Sequence, residues 1–156
     1  MSRRPASPWI FLERDLLKSR AWLDLVGIAP QVYGLLRLRV QVHRVKQGRQ
    51  GKRASFEMIN NGQICFGYAE AQRDFRITSP RFKRALKELV ERGFLDVAYH
   101  GGGLEGNPTR YAISKRWRAY GTADFEAATM TKGRRWTTRA TNVDVRGGTN
   151  VNVRGC

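Results

Sequence analysis

Apolar and polar positions change period several times along this chain, and each change marks an element. From Phe11 to Val26, Leu12, Leu16 and Leu17 fall at helical spacing and lead to Ser19, a cap for a turn holding Ala21, Trp22 and Leu25. Pro30 then opens a segment, Gln31 to Lys46, in which two periods compete. Val32, Leu35, Leu36 and Val40 fit a helix, while Leu36, Leu38, Val40 and Val42 alternate as in a strand. Its length and lack of turn residues favour a helix. Lys46 to Arg53 reads as a cation-rich loop. Ser55–Ile59 and Gln63–Phe66 flank Asn60-Asn61-Gly62 and predict a hairpin, because Asn-Gly supplies the positive φ angles of a tight turn. Helical spacing returns from Tyr68 to Phe75, and Arg76-Ile77-Thr78 is a turn of the length that joins two crossed helices.

The segment after that turn is the most legible. Ser79 is the expected N-cap and Pro80 the first helical residue, where its missing N–H costs nothing. Phe82, Ala85, Leu86, Leu89 and Val90 form one apolar stripe, and Gly93 closes the helix. With about 100° between successive residues, Arg84 lies opposite the stripe, Lys87 beside it, and Lys83 and Arg81 on the flanks. Glu88 and Glu91 are expected on the same outer face, confined to the C-terminal half. Charges opposite an apolar stripe are usually only a solvated face. The residues beyond Gly93 favour a second reading. Phe94–Tyr99 is a strand, Gly101, Gly102, Gly103 and Gly106 make a loop, and Thr109–Ile113 returns as the partner strand. Helix, helix and then a glycine-tipped hairpin is the order of a winged helix-turn-helix, an α+β fold with a small helical bundle and a β-hairpin wing.

Charge enlarges that picture. The 156 residues contain 29 Lys and Arg against 13 Asp and Glu, a net charge of +16, with a pI near 11.0. Such an excess opposes folding through self-repulsion and fits a polyanionic partner, with nucleic acid ahead of an anionic membrane surface. No apolar run approaches a membrane span of about 20 residues and no signal peptide follows Met1, so a cytoplasmic protein is expected. Cys65 lies in an apolar run and reads as a buried thiol. A structural disulfide with Cys156 is not expected.

Catalytic patterns do not assemble. His43 and His100 have no Cys or carboxylate at metal-ligand spacing, no Ser-His-Asp set forms, and no helix follows Gly101-Gly102-Gly103 as a phosphate loop requires. The chain is therefore read as a non-enzyme, with no cofactor, metal or small-molecule ligand. After Tyr120 the periodicity fades. The tail ends in a seven-residue near-repeat, Thr141-Asn142-Val143-Asp144-Val145-Arg146-Gly147 and Thr149-Asn150-Val151-Asn152-Val153-Arg154-Gly155, too short for a solenoid. Three regions result: a basic arm at 1–9, a domain at 10–120 and a basic low-complexity tail at 121–156.

Between Phe11 and Phe125 the sequence resembles winged-helix proteins of bacterial plasmids, phages and integrative elements. The motifs are Ser19-Arg20-Ala21-Trp22-Leu23, Asn60-Asn61-Gly62, Tyr68-Ala69-Glu70-Ala71-Gln72, Ala85 through Phe94, and Tyr111-Ala112-Ile113-Ser114-Lys115-Arg116-Trp117. The resemblance implies a sequence-specific double-stranded-DNA binder acting as a transcriptional regulator or replication accessory protein. On this expectation Ser79, Arg81, Lys83, Arg84 and Lys87 face the major groove, and Arg84 is the leading candidate for a guanine contact. Arg73 and Arg76 would hold phosphates from the first helix and the turn, and Arg110, Lys115 and Arg116 from the wing. A homodimer is compatible, since one such module reads few base pairs. A replication initiator is the alternative, and an RNA-binding or protein-docking winged helix is a second one.

Overall fold

A computed structural model describes residues 10–47, 53–101 and 107–130. The expected basic arm, the glycine-rich loop at 102–106 and the repeat-bearing tail lie outside these residues. The described chain is α+β: α1 (Arg14–Lys18), α2 (Arg20–Leu23), α3 (Ala29–Arg37), β1 (Val42–Gln47), β2 (Arg53–Met58), β3 (Ile64–Cys65), α4 (Tyr68–Phe75), α5 (Ser79–Glu91), β4 (Leu95–Tyr99) and β5 (Arg110–Ile113), then a 3₁₀ turn at Arg116–Ala119. Strands β3, β5 and β4 form an antiparallel sheet in that order, and β1 pairs with β2 in a separate two-stranded ribbon.

At the N-terminal end, Ser19 caps α2 as its position predicts. It accepts a hydrogen bond from Trp22 N at 3.2 Å, and its hydroxyl donates to Leu16 O at 2.7 Å. The middle of the chain differs from expectation. The helix expected over 31–46 ends at Arg37. Arg39 N and Val40 N reach back only three residues, to Leu36 O and Arg37 O, and the chain then leaves for β1. Alternation in the β-branched second half therefore outweighs the helical period that α3 obeys.

The hairpin expected around Asn60-Asn61-Gly62 is also replaced. β2 pairs backwards with β1, Val42 opposite Met58, while β3 pairs with β5, Ile64 opposite Tyr111. The Asn-Asn-Gly turn thus connects two sheets. Gly62 takes φ +87°, and both asparagine side chains act as backbone staples. Asn60 accepts from Gln41 N and donates to Arg39 O, both at 2.8 Å. Asn61 accepts from Ile113 N at 2.7 Å and donates to Ile113 O at 3.1 Å, standing in for a strand neighbour.

The core lies where α3, α4 and the underside of α5 meet the three-stranded sheet. Tyr33, Phe94 and Trp22 meet edge to face with centroids 5.5–5.8 Å apart, and Trp117 stacks on Phe94 at 6.3 Å. A second cluster joins Phe66 to Phe82 at 4.8 Å and to Phe75 at 5.8 Å. The packed chain continues past Tyr120. Phe125 packs edge-on against Tyr120, and Ala128 is buried. Cys65 departs from its expected role, being only half-buried and disulfide-bonded. Its expected relation to Cys156 falls outside the described residues.

Helix α5 ends as predicted, in a full Schellman closure. Phe94 N donates to Leu89 O at 2.9 Å and Gly93 N to Val90 O at 3.2 Å, with Gly93 at φ +84°. This closure turns the chain directly into β4 and drops Phe94 into the core. A Cβ on Gly93 would lie 2.7 Å from Trp117 N and 2.8 Å from Arg116 C. Gly93→Ala is therefore expected to cost at least about 2 kcal/mol, from the left-handed backbone and a clash with chain that cannot move aside. Urea denaturation with an unchanged m-value checks this, and a loss under about 0.5 kcal/mol would contradict it.

Candidate nucleic-acid interface

The candidate surface is built by α4, the 76–78 turn and the N-terminal half of α5. Its orientation follows from the buried stripe. Phe82, Ala85, Leu86, Leu89 and Val90 are all at most 3% exposed, so α5 has one inward face. The residues turned outward are Ser79, Arg81, Lys83, Arg84 and Lys87, all exposed. The structure thus places the five expected helix residues together along the outer half of one helix.

Two details of that helix are corrected. The N-cap is Thr78, with extended backbone (φ −67°, ψ 149°), so Ser79 is the first helical residue and Pro80 the second. Phe82 N bonds to Thr78 O at 2.9 Å, which sets the start one residue earlier than the Ser-Pro pair predicts. Pro80 still fits, because the first-turn N–H groups have no helical partner. Thr78 itself is exposed, and its side chain makes no capping bond. Glu88, expected outward, is instead half-buried against the α2–α3 connection. It accepts from Val26 N at 3.0 Å and pairs with Arg92 at 3.2 Å. Only Glu91 remains on the outer face, 3.7 Å from Lys87. The outer face is more basic than the sequence implies.

Ion pairing divides the basic residues into two groups. Arg39 stacks over Phe66 at 4.0 Å and bonds Glu70. Arg92 bonds Glu88 and Tyr120 Oη. Arg118 bonds Glu13. By contrast, among the described residues Arg81, Lys83 and Arg84 have no carboxylate partner, and no acidic residue occupies the first turn of α5. The positive end of the helix dipole and these cations therefore add their fields, with no carboxylate partner to offset them.

The remaining candidates divide in the same way. Arg76 is exposed at the turn and adopts φ 55°, the one non-glycine among the described residues in that region. Its placement closes α4 by letting Ile77 N reach Ala71 O at 3.0 Å, which buries Ile77. Arg73 is exposed but grips neighbouring Asp74 at 2.6 and 2.9 Å, and that bond holds the Asp74 carboxyl below its ordinary range. Arg110, the first residue of β5, is exposed with its guanidinium 5.5 Å over Tyr99, and Lys115 is exposed. Arg116, expected on the wing surface, turns inward. It bonds Asp96 at 2.6 Å and the carbonyls of Val90 and Leu95 at 3.1 Å, tying the end of α5 to β4. This side chain serves the fold, and the surface loses one of its expected cations.

No group of three or more His, Cys, Asp or Glu among the described residues is placed to hold a metal ion, and no helix of the described chain is long and apolar enough to cross a membrane. In comparisons with protein-family models, curated proteins and solved structures, nothing matches this chain.

Arginine at a left-handed turn costs about 1–2 kcal/mol, which a glycine would relieve. Arg76→Gly is expected to leave stability equal or raise it by up to about 1 kcal/mol, while weakening retention on an immobilised polyanion. Paired thermal melts and salt elution read the two effects. A destabilised variant with unchanged elution would contradict the assignment.

Proposed function

We propose that this chain is a sequence-specific double-stranded-DNA-binding protein of the winged helix-turn-helix type, acting as a transcriptional regulator encoded on a mobile genetic element. The observation that carries the reading is the set of carboxylate-free cations, Arg81, Lys83 and Arg84, on the outward N-terminal half of α5. A helix with a buried stripe and a basic leading half fits the major groove, where Arg pairs with the O6 and N7 of guanine through two hydrogen bonds. Helix α4 and the 76–78 turn supply the preceding part of the motif, and β4–β5 supplies the hairpin after it. The basic balance of the whole chain supports the same partner.

The residues then take distinct roles. Arg84, opposite the buried stripe, reads a base. Ser79, Arg81, Lys83 and Lys87 flank it and set its register. Arg76 and Arg110 hold phosphates on either side, with Arg73 assisting when it exchanges Asp74 for a phosphate. Phosphate contacts position the protein without carrying sequence information, whereas a bidentate base contact contributes about 1–3 kcal/mol of discrimination.

Selection of bound sequences from a random duplex pool tests this. A defined motif is expected. Arg84→Ala should relax one position of it, and Arg110→Ala should weaken all sequences alike. Equal affinity for every duplex, or an Arg84→Ala protein with unaltered preference, would overturn the reading.

A further inference from the structure

Helix α4 carries Arg73 and leads into Arg76, two of the expected phosphate contacts, yet it has little packing of its own. Five of its eight residues are exposed, and only Ala71 is fully buried. Burial of an apolar face is what usually fixes the pose of a short helix. Here a polar contact from outside the motif shares that task. Arg39 lies two residues beyond the end of α3, where the chain turns towards β1. Neither its position nor its spacing marks it as part of a DNA-facing surface.

Three groups from different elements converge on its guanidinium. It donates to Leu35 O of α3 at 2.5 Å, pairs with the Glu70 carboxylate of α4, and lies over the Phe66 ring at 4.0 Å from the centroid. The Arg39 carbonyl accepts from Asn60 at 2.8 Å, so both ends of the residue are held. A planar guanidinium can bond in its plane and stack on its face at once, which an ammonium cannot. The contact is sheltered, with the Arg39 side chain 21% exposed against 74% for Arg73. The Asp74 carboxyl, one turn beyond Glu70, is held below its ordinary range by its bond to Arg73 and, to a smaller extent, by the charge of Arg39. Arg39 thus faces the acidic side of α4. Phe66 in turn meets Phe82 at 4.8 Å, so the same stack underlies the first turns of α5.

We propose that Arg39 is a positioning residue for the duplex contact: through Glu70 it holds α4 against α3 and α5, so that Arg73 and Arg76 reach phosphates while α5 enters the groove. Arg39 itself touches no phosphate in this arrangement. The inference rests on the DNA-binding reading for the identity of the ligand. Charge gives the test its sign. Removing a carboxylate from a protein that binds a polyanion strengthens binding by Coulomb attraction alone. Loss of Glu70 is expected to do the opposite, because it releases the helix that Arg39 holds.

The experiment uses the full chain with Glu70→Ala, Arg39→Met and both together, beside Arg84→Ala. Affinity for selected and random duplexes is measured at a temperature where thermal melts show every variant folded. Each single variant is expected to bind the selected duplex about five- to tenfold more weakly than the parent. The double variant should be no weaker than the poorer single, as for two residues acting through one contact. Tighter binding by Glu70→Ala would overturn the proposal, and weaker binding by Arg39→Met beside it would make Arg39 a direct phosphate ligand. Lower melting temperatures with unchanged affinity would make the contact structural only and equally refute it. In both cases a relaxed preference of Arg84→Ala would leave the helix reading intact. Equal affinity of parent and Arg84→Ala for every duplex would sink that reading instead, and with it the role of Arg39. If Arg39→Met does not fold, Glu70→Ala decides alone, since it leaves the stack on Phe66 in place.

Discussion

Burial of a single stripe on α5 determines most of what this molecule can present. Phe82, Leu86, Leu89 and Val90 are each at most 1% exposed, and burial of each such side chain contributes about 1.5–3 kcal/mol. Rotating the helix by one position would expose Phe82 and Leu89 and drive Lys83 or Lys87 into the core, where an unpaired charge costs several kcal/mol. The outward direction of Arg81, Lys83 and Arg84 is therefore fixed by the core. The Schellman closure at Gly93 completes the constraint. It ends the helix where Phe94 can join Tyr33, Trp22 and Trp117, and β4 starts at Leu95, two residues after Gly93.

The fold uses its carboxylates unevenly, and that unevenness supports the functional reading. Glu88, Asp96, Glu70 and Glu13 each engage an arginine that ties elements together. Thirteen acidic residues cannot balance twenty-nine basic ones. Where the imbalance falls is what matters. The leading half of α5 is left uncompensated, and the exposed Arg76 sits in a left-handed turn. A compact chain holds such a surface at a cost in self-repulsion, which an anionic partner offsets.

How much is legible in the sequence depends on whether the signal is local. The α4–turn–α5–β4 stretch is readable because capping residues, apolar spacing and a closing glycine all agree within about twenty-five residues. Only the cap moves, from Ser79 to Thr78. Asn60-Asn61-Gly62 misleads because the same dipeptide that favours a hairpin turn also suits a junction. The partner of β2 is the strand just before it, Val42–Gln47, and the partner of β3 is the distant Arg110–Ile113. Residues 31–46 mislead for a similar reason, since pairing with β2 overrides helix propensity after Arg37. At the site, the outward cations are predictable from spacing. The inward turn of Arg116 and the burial of Glu88 are not, because each depends on partners from other elements, Asp96 for one and the Val26 N–H for the other. A carboxylate two positions into the strand after α5 is the available hint for Arg116.

Engagement of duplex DNA by one face of one helix is tested most directly by titrating the selected duplex into isotope-labelled full-length protein and mapping backbone amide shifts. The largest changes are expected from Thr78 to Lys87, with further changes at Arg76 and Arg110, and little change from Leu89 to Arg92. Shifts spread evenly over all exposed cations, or centred away from α5, would contradict the DNA-reading role of this helix.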